Sequence, residues 1–334
     1  MSKVDRQHFW NLLCNTHDNL PQSVNALTSA APYPETLCSY RSVNENSLKQ
    51  LQDNILWFSS ADYYDDPFDT YFQINTDRFK DIYDCIRPIF DADNTSLDGH
   101  IDTMATLFGI VPDTFKAGLS NTTPDFQKMD RLLKDMREAV RRTLFSICFC
   151  ENPLNETLWI KYAKNYHGFV LIYDFNQRET VICGTEEKCR NCNTAYTEMP
   201  FIYPVYYSNS RYDATNYALS LYVVDMALGK GINIPQSTID LIMAQNMWEA
   251  ERVTLIKKKC HENDEEWRMI RPRMHGMRTF IKARPQKIIL GLRMPEYERR
   301  LVISAAKVAG IQEIHEMYIN DSDELDSRPI NYIK

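Results

Sequence analysis

Glycine is scarce, 10 of 334 residues, and no glycine-rich turn of the phosphate-cradling or dinucleotide-binding type occurs in the chain. That removes the usual routes to a P-loop ATPase or a Rossmann dehydrogenase, which bring bare backbone against a pyrophosphate. Long apolar runs are missing too. No stretch approaches the roughly 18 residues needed to cross a bilayer, and the opening MSKVDRQHFWNLLCN lacks the apolar core of a secretory signal. Positive charge is not in excess: the formal net charge is −7, so no global field gathers nucleic acid, although local basic patches remain available. The nine cysteines are an odd number and suit a reducing compartment better than a disulfide framework. We therefore expect a cytoplasmic protein with no membrane partner.

Hydrophobic residues make up 44% of the chain, enough for a substantial core. Apolar strand-like runs (37–43, 55–60, 143–150, 169–173, 201–207, 287–291 and 313–319) alternate with helical periodicities, the clearest at 127–142. This distribution predicts an α+β fold in one continuous domain spanning 37–320. Residues 1–36 read as an N-terminal extension, with 18–36 loop-like around Pro21, Pro32 and Pro34. Residues 78–142 read as a helical insertion, 178–200 as a cysteine-containing insertion and 321–334 as a tail. Arg137, Arg141 and Arg142 lie near a helix C-terminus, where the dipole favours cations.

The most informative stretch is Asp264–Ile270 (DEEWRMI). As a strand it puts Asp264, Glu266 and Arg268 on one face, with Trp267 and Met269 opposite and suited to a core. Two carboxylates and a guanidinium at that spacing can do polar chemistry, or can be a solvated edge with weak ion pairs. A second polar stretch, Asp62 to Asp69 (DYYDDPFD), is a turn that Pro67 keeps from being helical at Asp66. Cys183, Cys189 and Cys192 are zinc candidates through their CxxC spacing. They supply three sulfurs where a structural site needs four ligands, so Cys260 or His261 would have to complete it in space; the plainer alternative is a loop without metal.

Several stretches in shared order resemble a bacterial family known as a domain of unknown function and found near phage-defence genes. They are Tyr40-Arg41-Ser42, Leu56-Trp57-Phe58-Ser59 leading to Asp65-Asp66-Pro67-Phe68-Asp69, Cys148-Phe149-Cys150, Leu158-Trp159 with Tyr162-Ala163 and His167-Gly168-Phe169, Pro204-Val205 with Tyr207, Lys257 to Arg268, and Lys287-Ile288 with Gly291. The chain departs from that family's pattern at Asp65, where asparagine is usual, and at Asp264, where glutamate is. More distantly, the order of a basic residue on the first strand, a serine or tyrosine on the next and a late acid pair is similar to ADP-ribosyltransferases.

That second resemblance implies mostly antiparallel central sheets of ADP-ribosyltransferase-like type, with NAD as co-substrate. Glu266 would stabilise the ribosyl cation and Asp264 would orient an acceptor. Tyr40, Arg41, Ser59, Ser60, Tyr63, Tyr64, Asp66 and Arg268 would bind the dinucleotide, Arg41 as a permanent cation on ribose or pyrophosphate and Ser59 or Ser60 by positioning Glu266. The partner would be a macromolecular acceptor, protein or nucleic acid, and the role that of a phage-defence toxin. Two other readings compete. One is a non-enzymatic sensor or binding module of a defence system, in which the Asp264–Arg268 face and the Asp65–Asp69 turn pair and fix the fold. The other is a Mg²⁺- or Mn²⁺-dependent nuclease using Asp65, Asp66, Asp69 and Glu266.

Overall fold

The computed structural model describes residues 4–64, 66, 68–78, 129–175, 202–218, 220–221, 246–272 and 280–330. The cysteines at 183, 189 and 192, Asp65 and most of the predicted helical insertion lie outside the described residues.

A nine-stranded sheet organises the rest. In chain order its strands are β1 (Leu37–Arg41), β2 (Ser59–Ser60), β3 (Leu144–Cys150), β4 (Phe169–Tyr173), β5 (Ile202–Pro204), β6 (Glu266–Pro272), β7 (Lys287–Leu290), β8 (Glu313–Ile319) and β9 (Leu325–Pro329). In space they run β9-β8-β7-β4-β1-β3-β6-β5, with β2 also on β3. Every pairing is antiparallel except β7 with β8, which the helix Glu296–Val308 connects as a parallel crossover. The fold is thus mixed α/β on a mostly antiparallel sheet.

The sheet is parted near its middle. β1 pairs with β4 from Leu37↔Tyr173 to Arg41↔Phe169, but meets β3 at a single rung, Cys38↔Cys150. β2 takes the opposite end of the same β3 edge, at Ser59↔Ser146 and Ser60↔Phe145. Between these contacts β3 has no strand partner on that edge among the described residues.

Period-two burial divides the two faces. One carries Leu37, Leu171, Phe149, Trp267, Met269, Ile288 and Leu290 into the main core. Helices Arg6–Asn15 and Pro21–Ala30 cover it with Phe9, Trp10, Leu13 and Leu27, so the predicted extension supplies core. The loop expected at 18–36 is largely the second of these helices. Pro21 stands in its first turn, where the missing N–H costs nothing, and Leu27 is buried. The predicted tail likewise supplies β9, the sheet's edge. On the other face, Trp159 and Leu158 of the helix Glu156–Lys161 cover Cys38, Tyr40, Val170 and Ile172. No helix among the described residues is long and apolar enough to cross a membrane.

The turn before β4 packs backbone on backbone. Gly291 N donates to Gly168 O at 2.9 Å, and a Cβ on Gly291 would stand 2.1 Å from Tyr166 O. Gly291→Ala should therefore cost about 1–3 kcal/mol, as overpacking does. The denaturant midpoint should fall at unchanged slope, and a midpoint equal to wild type would show that the turn yields freely.

Candidate functional site

Beyond the last turn of helix Glu156–Lys161, the second face of the sheet turns polar. Arg268 is 0% exposed, and a buried guanidinium needs its donors filled. Nη1 and Nη2 grip Asp69 Oδ1 and Oδ2 at 2.8 and 2.7 Å, Nε donates to Glu266 Oε1 at 2.6 Å, and Nη1 also reaches Thr254 O at 2.7 Å. The other Glu266 oxygen accepts from Lys257 Nζ at 2.9 Å; Lys257, also buried, lies 3.4 Å from Asp264 and 3.6 Å from Asp69. At the rim His261 stands between two more oxygens, Nε2 at 3.1 Å from Asp66 Oδ2 and Nδ1 at 3.5 Å from Asp264 Oδ2.

The charge balance is uneven. Among the described residues, Asp66, Asp69, Asp264 and Glu266 face only Lys257 and Arg268 as permanent cations, which leaves a surplus of negative charge. Burial alone would protonate Glu266, but Arg268 and Lys257 overcome it and hold the carboxyl well below its usual range. Burial likewise works against charge on Lys257, and Glu266 and Asp69 more than restore it. Glu266, Lys257 and Arg268 thus hold one another in their charged forms.

The main chain of Glu266 is fixed as firmly as its side chain. Its N–H donates to Tyr207 Oη at 2.8 Å and its carbonyl accepts from Arg6 Nη1 at 2.8 Å. Tyr64 lies under the Arg268 guanidinium, 5.3 Å from ring centre to Cζ, and bonds Ser146 Oγ.

Beside this cluster the sheet is open. Cys148 and Cys150 pair with Arg268 and Glu266 and share their face. Burial, then the Glu266 carboxylate, pushes the Cys148 thiol up to about 12. Both cysteines nevertheless keep some contact with solvent, next to the stretch where β3 has no partner on its β1 edge among the described residues. This solvent-reached stretch beside Glu266 is the candidate recess. Tyr162, 39% exposed, is close to the cluster: burial raises its hydroxyl, and the charges of Lys257, Glu266 and Asp264 act on it.

The structure brings together Asp264, Glu266, Arg268, Asp66 and Tyr64 of the residues singled out in the sequence. The backbone route differs from the expected strand. β6 begins at Glu266; Asp264 ends a 3-10 helix (Lys259–Asp264), and Glu265 between them is left-handed at φ 46°. Asp264 therefore reaches the cluster from the preceding turn. Trp267 and Met269 are core, each 0% exposed.

Other candidates lie elsewhere. Ser59 and Ser60 do not position Glu266. Ser59 is level with Ser146, hence with Ile270, four residues or about 13 Å along β6 at ~3.3 Å per residue. Ser60 Oγ instead donates to Arg141 O at 3.3 Å. Tyr63 is 81% exposed. Tyr40 is committed to the Asn152–Asn155 turn, donating to Asn152 O at 2.6 Å and accepting from Asn155 N at 3.1 Å.

Arg41 has an unexpected position. By register its Cβ leaves the sheet on the face opposite Glu266. Its carbonyl faces β4, since it would meet a Cβ on Gly168 at 2.1 Å. Successive strand carbonyls face opposite edges, so that of Tyr40 faces the gap toward β3. Arg41 Nη1 donates to that oxygen at 3.4 Å, which brings the guanidinium back over the free edge of β1. Two strand spacings, about 10 Å, separate β1 from β6.

The sequence placed neither Lys257 nor His261 in this cluster, whereas the pairing of the Asp65–Asp69 turn with the Asp264–Arg268 face, given there in one competing reading, is present as the Asp69–Arg268 ion pair. Lys257 has no periodic relation to Glu266; its only signal was that it opens the stretch shared with the resembled family. Two of the acids named in the metal-dependent nuclease reading already have cationic partners: Arg268 on both oxygens of Asp69, and Arg268 and Lys257 on those of Glu266. Among the described residues no group of three or more His, Cys, Asp and Glu side chains could hold a metal ion.

Compared with protein-family models, curated proteins and solved structures, the chain finds no match.

Proposed function

We propose that the recess between β1 and β6 binds NAD, and that the chain is an NAD-consuming effector of ADP-ribosyltransferase-like type acting in phage defence. The observation that carries this reading is the polarity across the gap, with the Arg41 guanidinium on the β1 edge and a carboxylate surplus around Glu266. NAD has the matching polarity: an anionic pyrophosphate at its centre and a cationic nicotinamide at one end.

Cleavage sends the electron pair of the C1′–N bond to the nicotinamide and leaves an oxocarbenium ion on the ribose. Glu266, held ionised and immobile, opposes that charge without reorganising. Each carboxylate oxygen has a second lone pair, so a ribose hydroxyl can still donate to Glu266 beside its two cations. Asp264, next to His261, orients or deprotonates the acceptor, which is a protein, a nucleic acid or water. Tyr64 and Tyr162 supply aromatic surface for the base.

The test is release of labelled nicotinamide from NAD by the wild-type chain in cell extract. Glu266→Gln should lower the rate by about 10²–10³-fold, the usual cost of removing a preorganised electrostatic group. A wild-type chain that neither binds NAD nor releases nicotinamide in any extract ends this reading. One observation favours the alternative of a binding module without turnover: both Glu266 oxygens already have partners. That reading predicts that Glu266→Gln lowers melting temperature and partner binding together, with no turnover to lose.

A further inference from the structure

A second charged cluster, built only of cations, lies away from the recess. Arg137 and Arg141 stand one turn apart on the helix Met129–Thr143, and Arg211 immediately precedes the strand Tyr212–Asp213. Two adjacent rings of the opposing segment hold two of them: Arg137 lies over Phe72 at 5.5 Å and Arg211 over Tyr71 at 5.2 Å. Phe72 pairs with Tyr212, and Tyr212 N donates to Tyr71 O at 3.1 Å, which joins the segment that follows Arg211 to the one on which Arg137 rests. Arg141 Nε is buried and has no hydrogen-bond partner among the described residues. No carboxylate among the described residues lies within 4 Å of any of the three, whereas Arg142 on the same helix pairs with Glu138 at 3.0 Å.

The helix dipole accounts for Arg141 and Arg142, which occupy the last turn. It does not account for Arg137 or Arg211. Burial first, then Arg211 and Arg141, lowers the pKa of Arg137, as expected for cations crowded together without a counter-charge. An orphaned buried donor calls for an acceptor. Guanidinium groups stacked on aromatic rings keep their N–H edges free and are ordered in advance.

We propose that Arg137, Arg141 and Arg211 form a site for a phosphoryl group carried by a small molecule. Three forked donors suit a tetrahedral oxyanion, and the chain's net charge of −7 disfavours a long polyanion. The site stands whether or not the recess binds NAD.

The experiment titrates inorganic phosphate, ADP and a short RNA into the full chain by calorimetry, against chloride at matched ionic strength. Phosphate or ADP should bind saturably, and Arg137→Gln with Arg141→Gln should weaken binding at least tenfold. Tighter binding of ADP than of phosphate would identify a nucleotide as the source, and the reverse would identify free phosphate. In phosphate-free buffer the melting temperature of the double variant should equal or exceed that of wild type, because repulsion has been relieved. A readout on wild type alone covers poor folding of the variant: phosphate should protect all three arginines from phenylglyoxal, measured by mass spectrometry. No saturable binding of phosphate or ADP, equal binding by the double variant, preference for RNA over both, or no protection would each overturn the site.

Discussion

Arg268→Ala should lower the free energy of unfolding by roughly 3–5 kcal/mol, the range for removing one partner of a buried ion pair. The loss exceeds that of a surface pair because Asp69 and Glu266 cannot turn to water. Arg268 is fully buried and supplies two bonds to Asp69, beside that from Thr70 N, and one to Glu266. Its removal leaves carboxylates facing carboxylates beside Lys257. Arg268→Lys should recover little, since one ammonium cannot fill the fork that meets Asp69. The check is urea unfolding of wild type, Arg268→Ala, Asp69→Ala and the double variant. The two single losses should overlap, giving a coupling of more than about 1 kcal/mol for residues in one network. A loss under 1 kcal/mol for Arg268→Ala would mean that water enters the cluster and the network is not what joins the early turn to β6.

How much of this was legible beforehand depended on what each residue's neighbours were. Strands β1, β3, β4 and β8 follow from local pattern, because burial on a sheet imposes period two or a continuous apolar run and the sequence carries it directly. So does the division of Glu266 and Arg268 from Trp267 and Met269. The helix Pro21–Ala30 was hidden because proline reads equally as a breaker and as a first-turn residue, and only tertiary contact of Leu27 decides. The pairing of Asp69 with Arg268, 199 residues apart, entered only as one competing reading, because no local pattern encodes it. Strand register escaped as well. Ser59 and Glu266 looked like members of one site, but β2 and Glu266 lie at opposite ends of β3, and only the ladder reveals it. The left-handed Glu265 explains the misreading of Asp264: a turn and a strand can place the same carboxylate in the same cluster.

Lys257→Met should invert the dependence of stability on pH. In the wild type Glu266 titrates below its ordinary value of 4.5, because Arg268 and Lys257 outweigh burial. A folded pKa below the unfolded one contributes stability that is complete above about pH 4.5 and drains away as pH falls through the folded value. Wild-type stability from this group is therefore flat between pH 8 and 5 and declines in acid. Methionine keeps most of the volume of the buried lysine stem but removes the charge. Burial, the largest influence on Glu266, is then opposed by Arg268 alone, while Asp264 and Asp69 lose their share of the ammonium. The carboxyl should move up past its unfolded value, so that its contribution is present below that value and lost as pH rises through the folded one. Urea unfolding at pH 5, 6, 7 and 8 should show the variant least stable at pH 8, by about 3–5 kcal/mol relative to wild type, with part of the deficit recovered at pH 5. Parallel curves for the two proteins across that range would show that Lys257 does not hold the charge of Glu266, and would remove the fixed carboxylate on which ribosyl-cation chemistry in the recess depends.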